Sequence, residues 1–204
     1  MRALVTGVTG FTGGHLARHL VGRGYDVRGL VRPASAAAAT SLADAGIDLV
    51  QGDLTDPASL QVACRDVEVI FHIAATYRTA RHGAAIYHAV NVAGTEHLLD
   101  AAVAARVRRV IHCSTGGVHG HIERPPANED APLAPGDIYQ RTKLEAERVA
   151  RKFGATHDIE LIVARPIGIY GPGDTRFLKL FRLARGRIPL LGDGQVFYHM
   201  TFID

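Results

Sequence analysis

The sequence predicts an α/β fold built on a doubly wound parallel sheet. Three observations predict it. Short runs rich in β-branched residues alternate with longer stretches at helical spacing. The run from Val67 to Ile73 is nearly all apolar, as expected for a strand covered on both faces. A glycine-rich turn joins the first predicted strand to the first predicted helix.

Taken in order, residues 2–6 read as a strand and 12–22 as a helix with Leu16, Leu20 and Val21 on one face. Residues 26–31 form a second strand. The Ala-rich stretch 34–45 predicts a helix stopped by Gly46, and 47–50 a third strand. Asp56-Pro57 opens the next helix, with Asp56 as N-cap and Pro57 at the first helical position. The fourth strand is 67–73, a long helix covers 84–105, and 107–113 is the fifth strand. Residues 116–136 hold four prolines and little periodicity, which predicts loop. A helix over 137–154 and strands over 159–164 and 197–203 complete the pattern.

With 204 residues, 47% hydrophobic and 21% charged, the chain is long and apolar enough to bury one sizeable core. No apolar run approaches the roughly 20 residues of a membrane helix, and the N-terminus lacks the pattern of a signal peptide. The excess of 23 Lys and Arg over 20 Asp and Glu is too small to indicate nucleic acid. Cys64 and Cys113 form no disulfide framework or metal-ligand pattern and read as buried thiols, which with the missing signal predicts a cytoplasmic protein. His119-Gly120-His121 supplies two imidazoles without a third ligand, so no metal is expected.

The turn Thr6-Gly7-Val8-Thr9-Gly10-Phe11-Thr12-Gly13 carries the first functional signal. Gly7 permits a tight turn, Gly10 lets backbone N–H groups approach a phosphate, and Gly13 lets the helix pack close to the strand. The helix N-terminus then offers unpaired N–H groups and its positive dipole end to a pyrophosphate. The chain is therefore expected to bind a dinucleotide, NAD(P), in a Rossmann-type fold. At the end of the second strand stands Leu30-Val31-Arg32-Pro33, without a carboxylate for a free ribose hydroxyl. Arg32, with Arg28 and Ser35 as candidate helpers, favours the 2′-phosphate of NADP(H). Asp53-Leu54 follows the third strand at the carboxyl edge, where an adenine contact and a local capping carboxylate are both open readings.

Tyr139 and Lys143 lie four apart and share a helix face. A phenol has a reference pKa of about 10; a nearby ammonium and a positive nicotinamide ring both favour the phenolate, which equips Tyr139 to exchange a proton with a substrate hydroxyl. Ser114-Thr115 follow the fifth strand, where a hydroxyl could hold the substrate oxygen.

These pieces, together with His72-Ile73-Ala74-Ala75, Asn91-Val92-Ala93-Gly94-Thr95, Ser114 to Gly120 and Arg165-Pro166-Ile167-Gly168-Ile169-Tyr170-Gly171-Pro172-Gly173, resemble the extended short-chain dehydrogenase/reductase superfamily, also called NAD-dependent epimerase/dehydratase proteins. The resemblance implies Tyr139 as acid/base, Lys143 lowering its pKa and holding the nicotinamide ribose, and Thr115 as the catalytic hydroxyl. It implies cofactor contacts from Gly7, Gly10, Phe11, Thr12, Gly13, Arg32, Asp53, Leu54, Ala74, Ala75, Ser114, Pro166 and Ile169. Asn91 is implied as support for the helix and strand near the site. Residues 1–173 are expected to hold the dinucleotide and 174–204 to begin a substrate-binding region mostly missing from this chain.

The resemblance further implies reversible hydride transfer at a secondary alcohol or ketone carbon, with nucleotide sugars as the commonest substrates and homodimers common. The alternatives are a ketone reductase resembling dihydroflavonol reductases and a non-catalytic NAD(P)-binding regulator. Two departures are informative. Gly116 and Gly117 stand where related 4,6-dehydratases carry Asp-Glu, which predicts no such elimination, and His119 stands where many relatives have Tyr.

Overall fold

The computed structural model describes residues 1–78, 83–186 and 199–204. Six parallel strands form the main sheet in the order β3-β2-β1-β4-β5-β6. They are β1 (Arg2–Thr6), β2 (Asp26–Val31), β3 (Asp48–Gln51), β4 (Val69–His72), β5 (Arg109–Cys113) and β6 (Glu160–Ala164). The helices between them are α1 (Phe11–Gly22), α2 (Thr40–Ala43), α3 (Pro57–Ala63), α4 (Ala84–His88), α5 (Gly94–Ala104) and α6 (Ile138–Thr156). Beyond the main sheet, β7 (Gly168–Tyr170) pairs in parallel with β8 (Met200–Phe202), and α7 (Leu178–Ala184) lies between them in sequence.

Alternation along the strands builds two cores. Leu4 and Leu30 face one side with Leu60, Ile70, Leu98 and Val110, under α3, α5 and α6. Val5 and Val31 face the other side with Val27, Ala17, Leu20 and Ile47, against α1. Strand order reverses between β1 and β4, and the carboxyl ends of these two strands open the crevice in which such folds hold ligands.

Most predicted elements stand where the pattern put them. The α3 N-cap is Asp56, whose Oδ1 accepts from the Ala58 N–H at 3.1 Å. Three expectations are corrected. The Ala-rich stretch is a 3₁₀ run, Pro33–Ala39, followed by a single α-turn, because a helix of this length is marginal by propensity alone and, among the side chains described, Ala39 and Leu42 are the ones buried to pin it. The helix expected over 84–105 contains a π-turn, Ala89–Ala93, which brings Asn91 and Val92 into the interior. The proline-rich segment opens with a buried 3₁₀ turn, Gly116–His119, rather than irregular loop. Of the strand expected over 197–203, residues 200–202 are strand, and Phe197 and Tyr198 lie outside the described residues.

Candidate active site

The glycine turn is shaped by close backbone approaches. Gly7 has φ +69°, and a Cβ there would meet the Ala74 nitrogen at 2.8 Å. Thr6 Oγ1 accepts from the N–H groups of Ile73 and Ala74, both at 3.1 Å, which clamps the end of β4 onto the turn. A Cβ on Gly13 would be driven into the Gly7 carbonyl oxygen, so only glycine lets α1 start this close to β1. Gly10 is the N-cap of α1; it makes no side-chain cap, and the first turn holds no acidic residue. The orphan N–H groups and dipole end of α1 are thus left for an anion, and the chain's own residues fit a dinucleotide diphosphate.

One cavity of about 730 Å³ runs from this turn across the crevice. Gly7, Gly10, Phe11, Thr12 and Gly13 form its floor, and Arg32, Asp53 and Leu54 line one end. Ala74 and Ala75 line its middle, and Ser114, Thr115, Tyr139, Pro166 and Ile169 the other end. Two of the sequence-predicted residues stand behind the wall. Asn91 is buried; its amide accepts from Thr76 N–H at 2.7 Å and donates to Thr142 Oγ1 at 3.0 Å. Lys143 is 1% exposed.

Several expectations change in detail. Arg28 is no helper at the ribose end, because it pairs with Asp48 at 3.1 Å and donates to the carbonyls of Ala63 and Arg65. Ser35 does not line the cavity. Asp53 faces the cavity and also caps locally, one oxygen accepting from Thr55 N–H at 2.8 Å and Thr55 Oγ1 at 2.7 Å. Tyr77, Arg78, Gln140 and Arg176 line the cavity without having been expected. None carries a periodic or motif signal; they arrive on loops and at a helix start.

Thr115 is the N-cap of the 3₁₀ turn, and its Oγ1 accepts from the Gly117 N–H at 3.2 Å. With a lone pair so engaged, its own hydrogen is available to a substrate oxygen. Burial pushes the Tyr139 phenol above its usual value, and the Arg78 guanidinium, 5.7 Å from the ring centre, pulls it back only in part. The cation that opposes burial there is Arg78, and desolvation prevails. The phenol therefore holds its proton at neutral pH. Burial lowers the Lys143 ammonium to about 8.

His72, read from the sequence as packed near the cofactor rather than catalytic, bonds Thr6 Oγ1 at 2.8 Å and Thr95 Oγ1 at 3.0 Å. Thr6 Oγ1 already accepts two backbone protons and Thr95 Oγ1 donates to the Asn91 carbonyl at 2.7 Å. The hydroxyl of Thr6 therefore donates to Nδ1, and Nε2–H donates to Thr95. Burial, reinforced by Lys143, lowers His72 to about 3 and holds His112 well below its usual value. Both rings are neutral in the fold and take a proton readily once unfolded, below about pH 6.5. Stability from these groups is thus complete above that pH and falls with a steady slope as pH drops below it, for His72 down toward pH 3. Urea unfolding between pH 7 and 4.5 should show this slope. Among the described residues His112 has no hydrogen-bond partner at either nitrogen, so His112→Phe should keep its stability at pH 7 and lose one ring's share of the slope. An unchanged slope would refute the assignment.

Among the described residues no group of three His, Cys, Asp or Glu side chains could hold a metal ion, and no helix is long and apolar enough to cross a membrane.

The model of the NAD dependent epimerase/dehydratase family matches residues 3–204. A UDP-glucose 4-epimerase of Mycolicibacterium smegmatis is 33% identical over 224 residues, covering 100% of this chain and 70% of that protein. Sterol demethylase protein B of Methylococcus capsulatus is 36% identical, covering 86% of this chain and 54% of that one. In solved form, DesIV, a dTDP-glucose 4,6-dehydratase from Streptomyces venezuelae with NAD and TYD bound, matches at TM-score 0.82 and 33% identity, covering 100% of this chain and 68% of that one. The chain spans 53–66% of the length of the first three curated relatives it matches. From the glycine turn to the segment after β6, it belongs to the NAD dependent epimerase/dehydratase family.

Proposed function

We propose that this chain is the catalytic and cofactor-holding part of an NAD(P)-dependent oxidoreductase or epimerase that moves hydride reversibly at a secondary alcohol or ketone carbon. Residues 1–173 hold the dinucleotide, and 174–204 begin the substrate-binding region. The observation that carries the reading is convergence: the glycine turn, the Thr115 hydroxyl and the Tyr139 phenol open into one cavity. The turn and the α1 N-terminus bind the diphosphate. When bound, the nicotinamide supplies or takes the hydride. Thr115 donates a hydrogen bond to the substrate oxygen and orients it. Tyr139 gives its proton to that oxygen in reduction and takes it back in oxidation. Lys143, one turn along α6 and buried behind the cavity wall, is the ammonium proposed to support the resulting phenolate and to hold the nicotinamide ribose.

A nucleotide sugar is the preferred substrate class, supported by the similarity to a UDP-glucose epimerase and a dTDP-glucose dehydratase. The elimination chemistry of a dehydratase is not supported. Gly116 and Gly117 stand where such dehydratases carry Asp-Glu, so the pair of carboxylates is missing. A second reading is net reduction of a ketone, toward which Val31-Arg32 at the end of β2 leans because it lacks the acidic residue there that suits a tightly held NAD. Incubating the protein with NADPH or NADH and a panel of UDP-sugars and ketones separates the two. Retained cofactor with an inverted sugar carbon marks an epimerase, and released oxidised cofactor marks a reductase. No turnover and no cofactor binding would overturn both.

NADP(H) is preferred over NAD(H). Arg32 lines the cavity directly after β2, a strand that ends in Val31 without a carboxylate, although Asp53 lines the same end and the solved relative DesIV holds NAD. NADPH should bind about tenfold more tightly than NADH, and Arg32→Asp should reverse the order. Equal dissociation constants in the unaltered protein would refute the preference.

A further inference from the structure

Below the cavity lies a buried polar cluster that the reaction described above does not use. Glu147, two turns along α6 from Tyr139 and one from Lys143, is 2% exposed at its side chain. Its carboxylate is gripped by Arg165, with Nε to Oε2 at 3.0 Å and Nη2 to Oε1 at 2.5 Å, and accepts a further bond from Arg151 at 3.0 Å. Arg165 Nη1 reaches on to His119 Nε2 at 3.0 Å and to the Glu129 carbonyl at 2.9 Å. A guanidinium only donates, so His119 Nε2 is the acceptor. The proton therefore sits on Nδ1, which donates to the carbonyls of Ala131 at 3.1 Å and Pro132 at 3.3 Å.

Each member of this chain of bonds belongs to a different wall of the cavity. Glu147 is on the helix that carries Tyr139 and Lys143. Arg165 immediately precedes Pro166 and Ile167, which line the cavity. His119 ends the 3₁₀ turn that Thr115 caps. Backbone bonds join the same walls, from Gly116 N–H to the Pro166 carbonyl at 2.9 Å and from Ser114 N–H to the Ala164 carbonyl at 2.7 Å. Thr115 and Tyr139 must converge on one substrate oxygen, yet they come from segments 24 positions apart in sequence. We propose that Glu147, Arg165 and His119 are positioning residues that hold the Thr115 turn in register with Tyr139, with His119 acting as the clasp. The bidentate guanidinium fixes orientation as well as distance, which a lone lysine ammonium cannot do.

The inference rests on the hydride-transfer reading for its catalytic consequence, but its structural content stands apart and is tested apart. The probe is NADH, whose binding can be followed by its own fluorescence because the chain contains no tryptophan. In the full chain, His119→Phe and Arg165→Met should raise amide exchange in the 114–121 segment about tenfold or more. The 6–14 segment and the NADH dissociation constant should stay within about twofold. His119→Gln, which restores an acceptor toward Arg165, should recover much of the protection, as should Glu147→Gln relative to Glu147→Ala; these milder variants decide the matter where a harsher one fails to fold. With whichever panel substrate turns over, kcat should fall at least tenfold while KM stays within about twofold, because a misplacement of this kind acts on the reacting geometry. Exchange at the unaltered rate in both His119→Phe and Arg165→Met, or no more protection in His119→Gln and Glu147→Gln than in His119→Phe and Glu147→Ala, would overturn the proposal even if Tyr139 proves catalytic. Should Tyr139→Phe instead leave turnover intact, the hydride reading fails while the exchange measurement still judges the clasp.

Discussion

Tyr139→Phe should lower turnover by about 10³-fold while the NADPH and NADH dissociation constants stay within about twofold. The proposed function makes this phenol, which lines the cavity, the proton donor, and a positioned acid or base contributes about 10² to 10⁴ in rate. The ring itself is retained. Its edge-to-face contact with Tyr77, 5.0 Å between centres, and its place under the Arg78 guanidinium are preserved in phenylalanine. The measurement is a steady-state assay on the best panel substrate beside a cofactor titration. Because burial holds the phenol protonated, the loss should be present throughout the neutral range in the direction of reduction. Turnover within a few-fold of the unaltered protein would remove Tyr139 from the reaction.

Gly13→Ala is expected to have the largest effect on cofactor affinity. The added methyl would press on the Gly7 carbonyl oxygen and lie 3.1 Å from the Val8 nitrogen, both backbone atoms that cannot rotate away. Helix α1 must then lift from β1, and its orphan N–H groups leave the diphosphate position. The expected result is a loss of NADH affinity of about 100-fold and a destabilisation of about 1–3 kcal/mol, the usual cost of overpacking. Gly22→Ala is the control: nothing lies within 4 Å of its Cβ position, so it should add up to about 1 kcal/mol through helix propensity. Fluorescence titration and urea midpoints read both. Unchanged NADH affinity in Gly13→Ala would show that close approach of α1 to β1 is not what forms the site.

Much of this site was readable because its parts are local. The glycine turn, the Asp56-Pro57 helix start and the Tyr139–Lys143 spacing each lie within a few residues, and each follows from a turn's φ, a helix's first unpaired N–H groups or a helix's 3.6-residue period. What went unread depends on residues distant in sequence. Arg78 acts on Tyr139 from a loop 61 positions earlier, and no pattern around either announces the contact. Arg28 looked like a cofactor helper because it is basic and near Arg32, but Asp48 on the neighbouring strand claims it. The Ala-rich stretch reads as an α-helix by propensity, yet it folds as a 3₁₀ run followed by one α-turn, since propensity alone does not fix a helix this short.

The sequence by itself determined the layering, the strand alternation and the dinucleotide-type turn, since periodicity and glycine chemistry are properties of short segments. The burial of the Tyr139 phenol, the tautomer of His119 and the partner of Arg28 came only from the tertiary structure. Desolvation and hydrogen bonding depend on which atoms arrive from elsewhere in the chain, and that is settled when the sheet closes against its helices.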